Sequence, residues 1–360
     1  MREVGTIQSI RVRTCRVPID PPVETASGHV PIAPLVLIDV ETSAGIIGHS
    51  YLFTYTPLAL KPVAELVAGM EALIKGQPVA PAMLFDMLQQ RFRLLGIEGL
   101  VLMAISGIDM AIWDALAKSA GLPLARLLGG DIRPVPAYAS LRGMSADSIV
   151  REAEPLLEQG FTAFKFKIGM PDPETDLSAI AALRRKLGPK AKIMVDFNQS
   201  LSVAEAKRRL PTLDDLGLNW IEEPTLSTDF ASQAEIRRAA RTPMQAGENW
   251  WGPQDAAKSI AAGATDLIMP DLMKIGGITG WHRTAALAEA AGLPVSSHIF
   301  PEVSAHALLA TSGADMLEYL DIAAPVLARP LRIKKGCAVL DDEPGNGLGW
   351  NEAAVARFAA

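Results

Sequence analysis

The chain has 360 residues, 49% apolar and 21% charged, enough to bury a full α/β barrel and a second unit without disulfide support. Its net charge of −6, with lysines and acids interspersed, leaves no basic footprint for nucleic acid, so small-molecule partners are expected. The N-terminus MREVGTIQSIRVRT has no apolar stretch followed by small residues, and no later run reaches about 18 uninterrupted apolar residues; neither secretion nor a membrane span is expected, and the chain reads as cytoplasmic.

Residues 1–130 read as an α+β unit: three strand-like stretches, IQSIRVRTCRVPI, PLVLIDVETSAG and GIIGHSYLF, precede helical patterns from Leu58 to Gly121. Cys15 and Cys337 lie in separate strand-like segments without CxxC or Cys/His spacing and read as inert core residues. Gly129-Gly130 closes a helix and Pro134 opens a new pattern, so the junction falls there. From 131 to 322 eight short apolar runs follow: AYASL, FTAFKFKIG, KIMVDFNQ, NWIEEP, PMQAGENW, DLIMPDLMKIG, PVSSHIF and MLEYLDI, each but the last with a helix behind it. Alternation at about 25 residues per unit predicts parallel βαβ units, and eight of them predict a TIM-type (β/α) barrel. The tail, 323–360, is too short to stand alone and is expected to pack back on the first unit.

In such a barrel chemistry belongs at the C-terminal ends of the strands. The polar residues there are Ser140, Lys165 and Lys167, Asp196 and Asn198, Glu222, Glu248, Asp271, His298 and Glu318. Asp196, Glu222 and Glu248 are spaced 26 residues apart, one on each of three consecutive units. Any one of them alone reads as a helix N-cap; three in register read as hard oxygen ligands converging on Mg2+. Lys165 and Lys167 alternate with Phe166 and so point the same way, roughly 7 Å apart. Repulsion on the order of 2 kcal/mol is expected to depress one lysine's pKa, which suits a general base.

His298 follows the strand end that carries Asp271, which could hold one ring nitrogen and leave the other as a base. His282 and His306 lie on helical patterns and read as structural; His49 lies at a strand, and His29, before Pro31, could reach a substrate. IGGITG (275–280) follows a strand and opens a helix as phosphate loops do, but lacks GxxxxGK[ST], and turn glycines are the commoner explanation.

With KFK, VDFNQ, WIEEP, AGENW, MPDLMKIGG and SSHIF in hand, the chain resembles the enolase superfamily, specifically its mandelate racemase subgroup, over essentially its full length; GIDMAIWDALAK also looks like that family's capping-domain helix. The resemblance implies an α+β capping domain on a modified barrel, a homo-oligomer (an octamer), and a carboxylate substrate that chelates Mg2+ and loses the proton on the adjacent carbon to give an enediolate. Carried over, Asp196, Glu222 and Glu248 are ligands, Lys167 is the base for one enantiomer, and His298, oriented by Asp271, the base for the other. Glu318 is expected to be protonated and to donate to the substrate carboxylate; Lys165 is expected to contact that carboxylate, and Ser140 and Asn198 to bind substrate.

The resemblance places substrate choice in two cap loops, here DPPVETASGHVP (20–31) and YLFTYTP (51–57). Val23, Val30, Phe53 and Tyr55 could form an apolar pocket for an aryl or alkyl 2-hydroxy acid, or could pack the cap onto the barrel. Ser27, His29, Leu141 and Tyr319 depart from the subgroup's pattern. A racemase is the first expectation. A sugar-acid dehydratase is the alternative, and would want a polar loop set that Glu24, Ser27 and His29 could begin. A non-catalytic barrel binding metal or ligand would show a missing base or ligand, and none is missing.

Overall fold

The computed structural model describes residues 4–26 and 28–360; the expectation for Ser27 lies outside them. β1 (Ile7–Thr25), β2 (Gly28–Thr42) and β3 (Ile47–Phe53) form an antiparallel meander. β2 is buried without a break from Ala33 to Val40, as a strand covered on both faces must be. Helix Leu100–Ala120 packs on β2 and β3 on one side and on barrel helices Leu272–Ile275 and Gly277–Ala291 on the other. It is long and apolar enough to cross a membrane by composition, but its apolar surface is spent between cap and barrel.

The second unit is the expected barrel. β4 (Val135–Ser140), β5 (Ala163–Lys167), β6 (Lys192–Asp196), β7 (Trp220–Glu222), β8 (Met244–Ala246) and β9 (Leu267–Ile268) run parallel in that order, and β10 (Leu317–Tyr319) pairs back onto β4 to close the ring. The seventh expected strand is instead a set of single bridges, Val295 to Ile268 and Ala314 and His298 to Asp271. Directly after His298 the backbone turns left-handed at Ile299 and Phe300, φ 34° and 48°, and helix Pro301–Leu309 begins, so no ladder can extend. Tyr138, Ala163, Met194, Trp220 and Met316 fill the lower interior as one apolar layer.

The tail meets the barrel before it meets the cap. β11 (Arg332–Lys334) and β12 (Cys337–Val339) form a hairpin whose second strand pairs with β4 at Val135 and Pro136. Only then does the chain reach the cap, where Cys15 bridges Ala359 and the Arg16 amide donates to the Phe358 carbonyl at 2.8 Å.

Candidate active site

The parallel register lines up the chemistry at one end of the barrel. Lys167 pairs with Asp196, and Asp196 with Glu222, so three strand-end side chains share one level and one inward face. Glu248 lies two residues beyond β8. It is brought in by Gly247, whose φ of +140° lies outside what L side chains usually adopt and where a Cβ would sit 2.9 Å from the Met269 amide nitrogen. Asp196, Glu222 and Glu248 are all buried and each offers an oxygen within 4.8 Å of the others'.

The donor set fits a hard divalent cation. Among the three buried carboxylates, Glu222 is the one paired directly with Lys165, at 2.8 Å, and that ammonium is shared with Glu318 at 2.9 Å. Burial first, and then mutual repulsion, push Glu222 well above the usual carboxylate range and Asp196 up to about 6, although Lys165 opposes both. Carboxylates so crowded are relieved by a cation, and all-oxygen donors suit Mg2+. Asn198 fixes Asp196, its amide donating to Oδ1 at 2.7 Å and its Nδ2 to Oδ2 at 2.6 Å, while Trp220 Nε1 donates to Glu222 Oε2 at 3.2 Å.

Asp271 caps the turn Leu272–Ile275: its Oδ1 accepts from the Met273 and Lys274 amides at 2.7 and 3.1 Å. Its other oxygen lies 2.7 Å from His298 Nδ1, and His298 Nε2 lies 3.1 Å from Glu248 Oε2. Burial lowers the imidazole's pKa, but Glu248, Glu318 and Asp271 outweigh it and raise the net value. The same pairing, with Lys165 and Lys274, brings Glu248 down to about 2 against the cost of its burial.

Two electrostatic expectations need correction. Glu318 is not poised as an acid in this structure: despite burial, Lys165, His298 and the Ile299 amide, 2.9 Å from Oε2, hold it at about 2. Nor does Lys165 face Lys167 as a bare like charge. Glu222 and Glu318 flank the Lys165 ammonium, outweigh its desolvation and raise its pKa well above the ordinary lysine value.

One cavity brings together Lys165, Lys167, Asp196, Asn198, Glu248, His298 and Glu318. Its cap-side wall is Ile19, Val23, Thr25, Val30, Phe53 and Tyr55, with Phe53 and Tyr55 rings 4.6 Å apart. Leu320 and Ile322 also line it and were missed; they follow Glu318 at a period of two, the signal that could have found them. His29 is exposed and does not line the cavity. Glu24 is engaged by the Met144 amide at 2.8 Å. Ser140 is buried at the level of Lys165, its Oγ without a partner among the described residues, and it is not among the residues lining the cavity. Leu141 is fully buried, and Tyr319 stacks on Phe161 at 5.7 Å, away from the cavity. Sequence reasoning also missed Asn249, which donates to Glu223 at 2.6 Å and Glu248 at 3.1 Å, and Lys274, which donates to Asn249 at 2.6 Å.

The glycines of 275–280 serve packing, not phosphate. A Cβ on Gly277 would meet Asp109 of the cap helix at 2.4 Å, and Asp109 accepts from the Thr279 amide, so a cap carboxylate occupies that helix N-terminus.

Residues 7–129 match the mandelate racemase / muconate lactonizing enzyme N-terminal domain and residues 148–354 the enolase C-terminal domain-like family. An enolase from Bradyrhizobium, solved with magnesium and mandelic acid, is 48% identical, with 99% of this chain and 98% of that one covered and a TM-score of 0.94. The 3,6-anhydro-alpha-L-galactonate cycloisomerase of Streptomyces coelicolor is 30% identical over 98% of this chain and 99% of its own length. The L-talarate/galactarate dehydratase of Salmonella typhimurium is 31% identical over 72% of this chain and 66% of its own. The chain belongs to the mandelate racemase / muconate lactonizing enzyme family of the enolase superfamily, whose cofactor is Mg2+.

Proposed function

We propose that this protein racemises 2-hydroxy acids bearing an aryl or apolar substituent, by exchanging the proton on the carbon next to the carboxylate. The observation that carries this reading is that two candidate bases, Lys167 and His298, three staves apart around the ring, line one cavity whose cap-side wall is largely apolar. Asp196, Glu222 and Glu248 would hold the magnesium, which supplies Lewis-acid polarisation of the substrate carboxylate. Lys167 takes the α-proton from one face. His298 delivers a proton to the other through Nε2, because Asp271 engages Nδ1 and fixes which nitrogen exchanges. For the opposite enantiomer the roles reverse. Lys165, backed by Glu318, meets negative charge as it develops on the substrate, and being in place before reaction it costs no reorganisation.

The mandelic acid in the Bradyrhizobium structure supports an aryl substrate. The dehydratase alternative wants several polar cap groups, yet Thr25 is joined by neither His29, which is exposed and does not line the cavity, nor Glu24, which is engaged elsewhere. The test is incubation of each mandelate enantiomer with Mg2+ in deuterated water, followed by polarimetry and proton NMR, with galactarate and glucarate assayed in parallel for 2-keto acid. Loss of rotation with α-deuteration is expected; inert mandelate beside 2-keto acid from an acid sugar would overturn the reading.

A further inference from the structure

Among the described residues, Tyr55 is the one cap residue of the cavity wall held in the left-handed region, φ 55°, and it is 38% exposed. A non-glycine residue keeps such a backbone only when its surroundings hold it there. Two contacts do so: the Phe53 ring at 4.6 Å, and the ammonium of Lys274, which sits over the Tyr55 ring 4.6 Å from its centroid. Lys274 is itself buried, and comes from the turn that Asp271 caps. Its ammonium also donates to Asn249 Oδ1 at 2.6 Å, and Asn249 Nδ2 donates onward to Glu223 at 2.6 Å and to Glu248 at 3.1 Å. Glu223 sits next to Glu222 with a left-handed backbone, φ 35°, and its second oxygen is buried without a partner among the described residues. One side chain therefore touches both the cap loop that walls the cavity and the network around the carboxylate of Glu248.

We propose that Lys274 is a positioning residue that couples the seating of cap loop 51–57 to the orientation of Glu248. With the ring over the ammonium, Lys274 is fixed and Asn249 presents Nδ2 to Glu248. With the loop lifted, the ammonium loses its ring and the Asn249 amide its anchor, and the carboxylate is freer to turn. Coupling of this kind is reciprocal: metal at Glu248 steadies the loop as much as the loop favours metal. The inference rests on the cavity being the substrate site and is independent of which carboxylate acid enters it.

The test needs no substrate. Hydrogen exchange of the amides in 54–58 and Mg2+ affinity by calorimetry are measured on the full chain for wild type, Lys274→Met, Lys274→Arg, Tyr55→Phe and Tyr55→Leu. Mg2+ should slow exchange of this segment in wild type and in Tyr55→Phe, which keeps the ring. That protection should vanish in Lys274→Met and Tyr55→Leu and return in part in Lys274→Arg. Mg2+ affinity should fall about tenfold in Lys274→Met, the scale typical of lost outer contacts to a metal ligand. Tyr55 is partly exposed, so Tyr55→Leu still decides the matter if Lys274→Met does not fold. Equal protection by Mg2+ in all five proteins overturns the coupling, as does weakened metal binding in Lys274→Met with loop exchange unmoved there and in Tyr55→Leu. With substrate in hand, Tyr55→Leu should raise KM more than it lowers kcat.

Discussion

Lys165 Nζ lies 2.9 Å from Glu318 Oε1, and both side chains are almost fully buried. The carboxylate is held at about 2, well below its value of roughly 4.3 in an unfolded chain. The folded state therefore releases this proton more readily, and the pairing stabilises fully above about pH 4.3 and is lost as pH falls through about 2. Glu318→Gln should destabilise the chelator-treated protein at pH 7, with about half of the difference remaining at pH 3. Urea unfolding at the two pH values checks this; a difference independent of pH would mean that Glu318 is not ionised in the fold.

The two candidate bases give an asymmetric expectation. Lys167→Ala should leave one enantiomer able to exchange its α-proton with deuterated solvent, and His298→Asn the other. Asp271→Asn should act like the histidine variant, because loss of the 2.7 Å contact releases the Nδ1 tautomer. Its exchange should fall by about a hundredfold or more on the histidine face only. Proton NMR of each enantiomer reads the result, and equal loss on both faces in every variant, with metal still bound, speaks against two independent bases.

Removal of metal should be felt by the fold as well as by turnover. Asp196, Glu222 and Glu248 crowd their oxygens within 4.8 Å, so a bound cation stabilises the native state alone. At about 100 times its dissociation constant Mg2+ should add roughly 2.7 kcal/mol, a rise of a few degrees in Tm over the same protein in EDTA. Glu222→Gln should lose most of that rise and the activity with it. Calorimetry showing the full rise in Glu222→Gln would place the metal elsewhere.

The acids and bases of the site were legible because each barrel unit repeats one geometry: a strand end at a fixed level, with alternate residues inward. Lys167, Asp196 and Glu222 sit side by side for that reason. What periodicity does not carry is pairing across the chain. The pairing of Lys165 depends on Glu222 and Glu318, 57 and 153 positions away, and the Lys274 contact on a left-handed turn at Tyr55 in the other unit. His29 failed for a local reason. It pairs with Glu24 next to the β1–β2 turn, and the alternation that turns Val23 and Val30 to the cavity turns their neighbours away.

Asp109 offers a prediction outside the catalytic cavity. It lies on the cap helix, 3% exposed, with Oδ2 accepting from the Thr279 amide at 3.0 Å and Oδ1 from Thr279 Oγ1 at 2.5 Å, while Trp113 Nε1 donates to that same hydroxyl at 3.0 Å. Burial dominates these bonds and pushes the carboxyl up to about 7. Its unfolded value is near 3.9, so the folded state binds the proton more tightly. Stability from this group is then complete below about pH 4, falls by up to about 1.4 kcal/mol per pH unit as pH rises toward 7, and is level above. Asn has the same shape and does not titrate. Asp109→Asn should therefore gain on wild type steadily between pH 5 and pH 7 and hold its gain at pH 8, measured by urea unfolding at each pH. A constant offset across that range would show that Asp109 stays ionised where cap meets barrel, with the Thr279 bonds outweighing its burial.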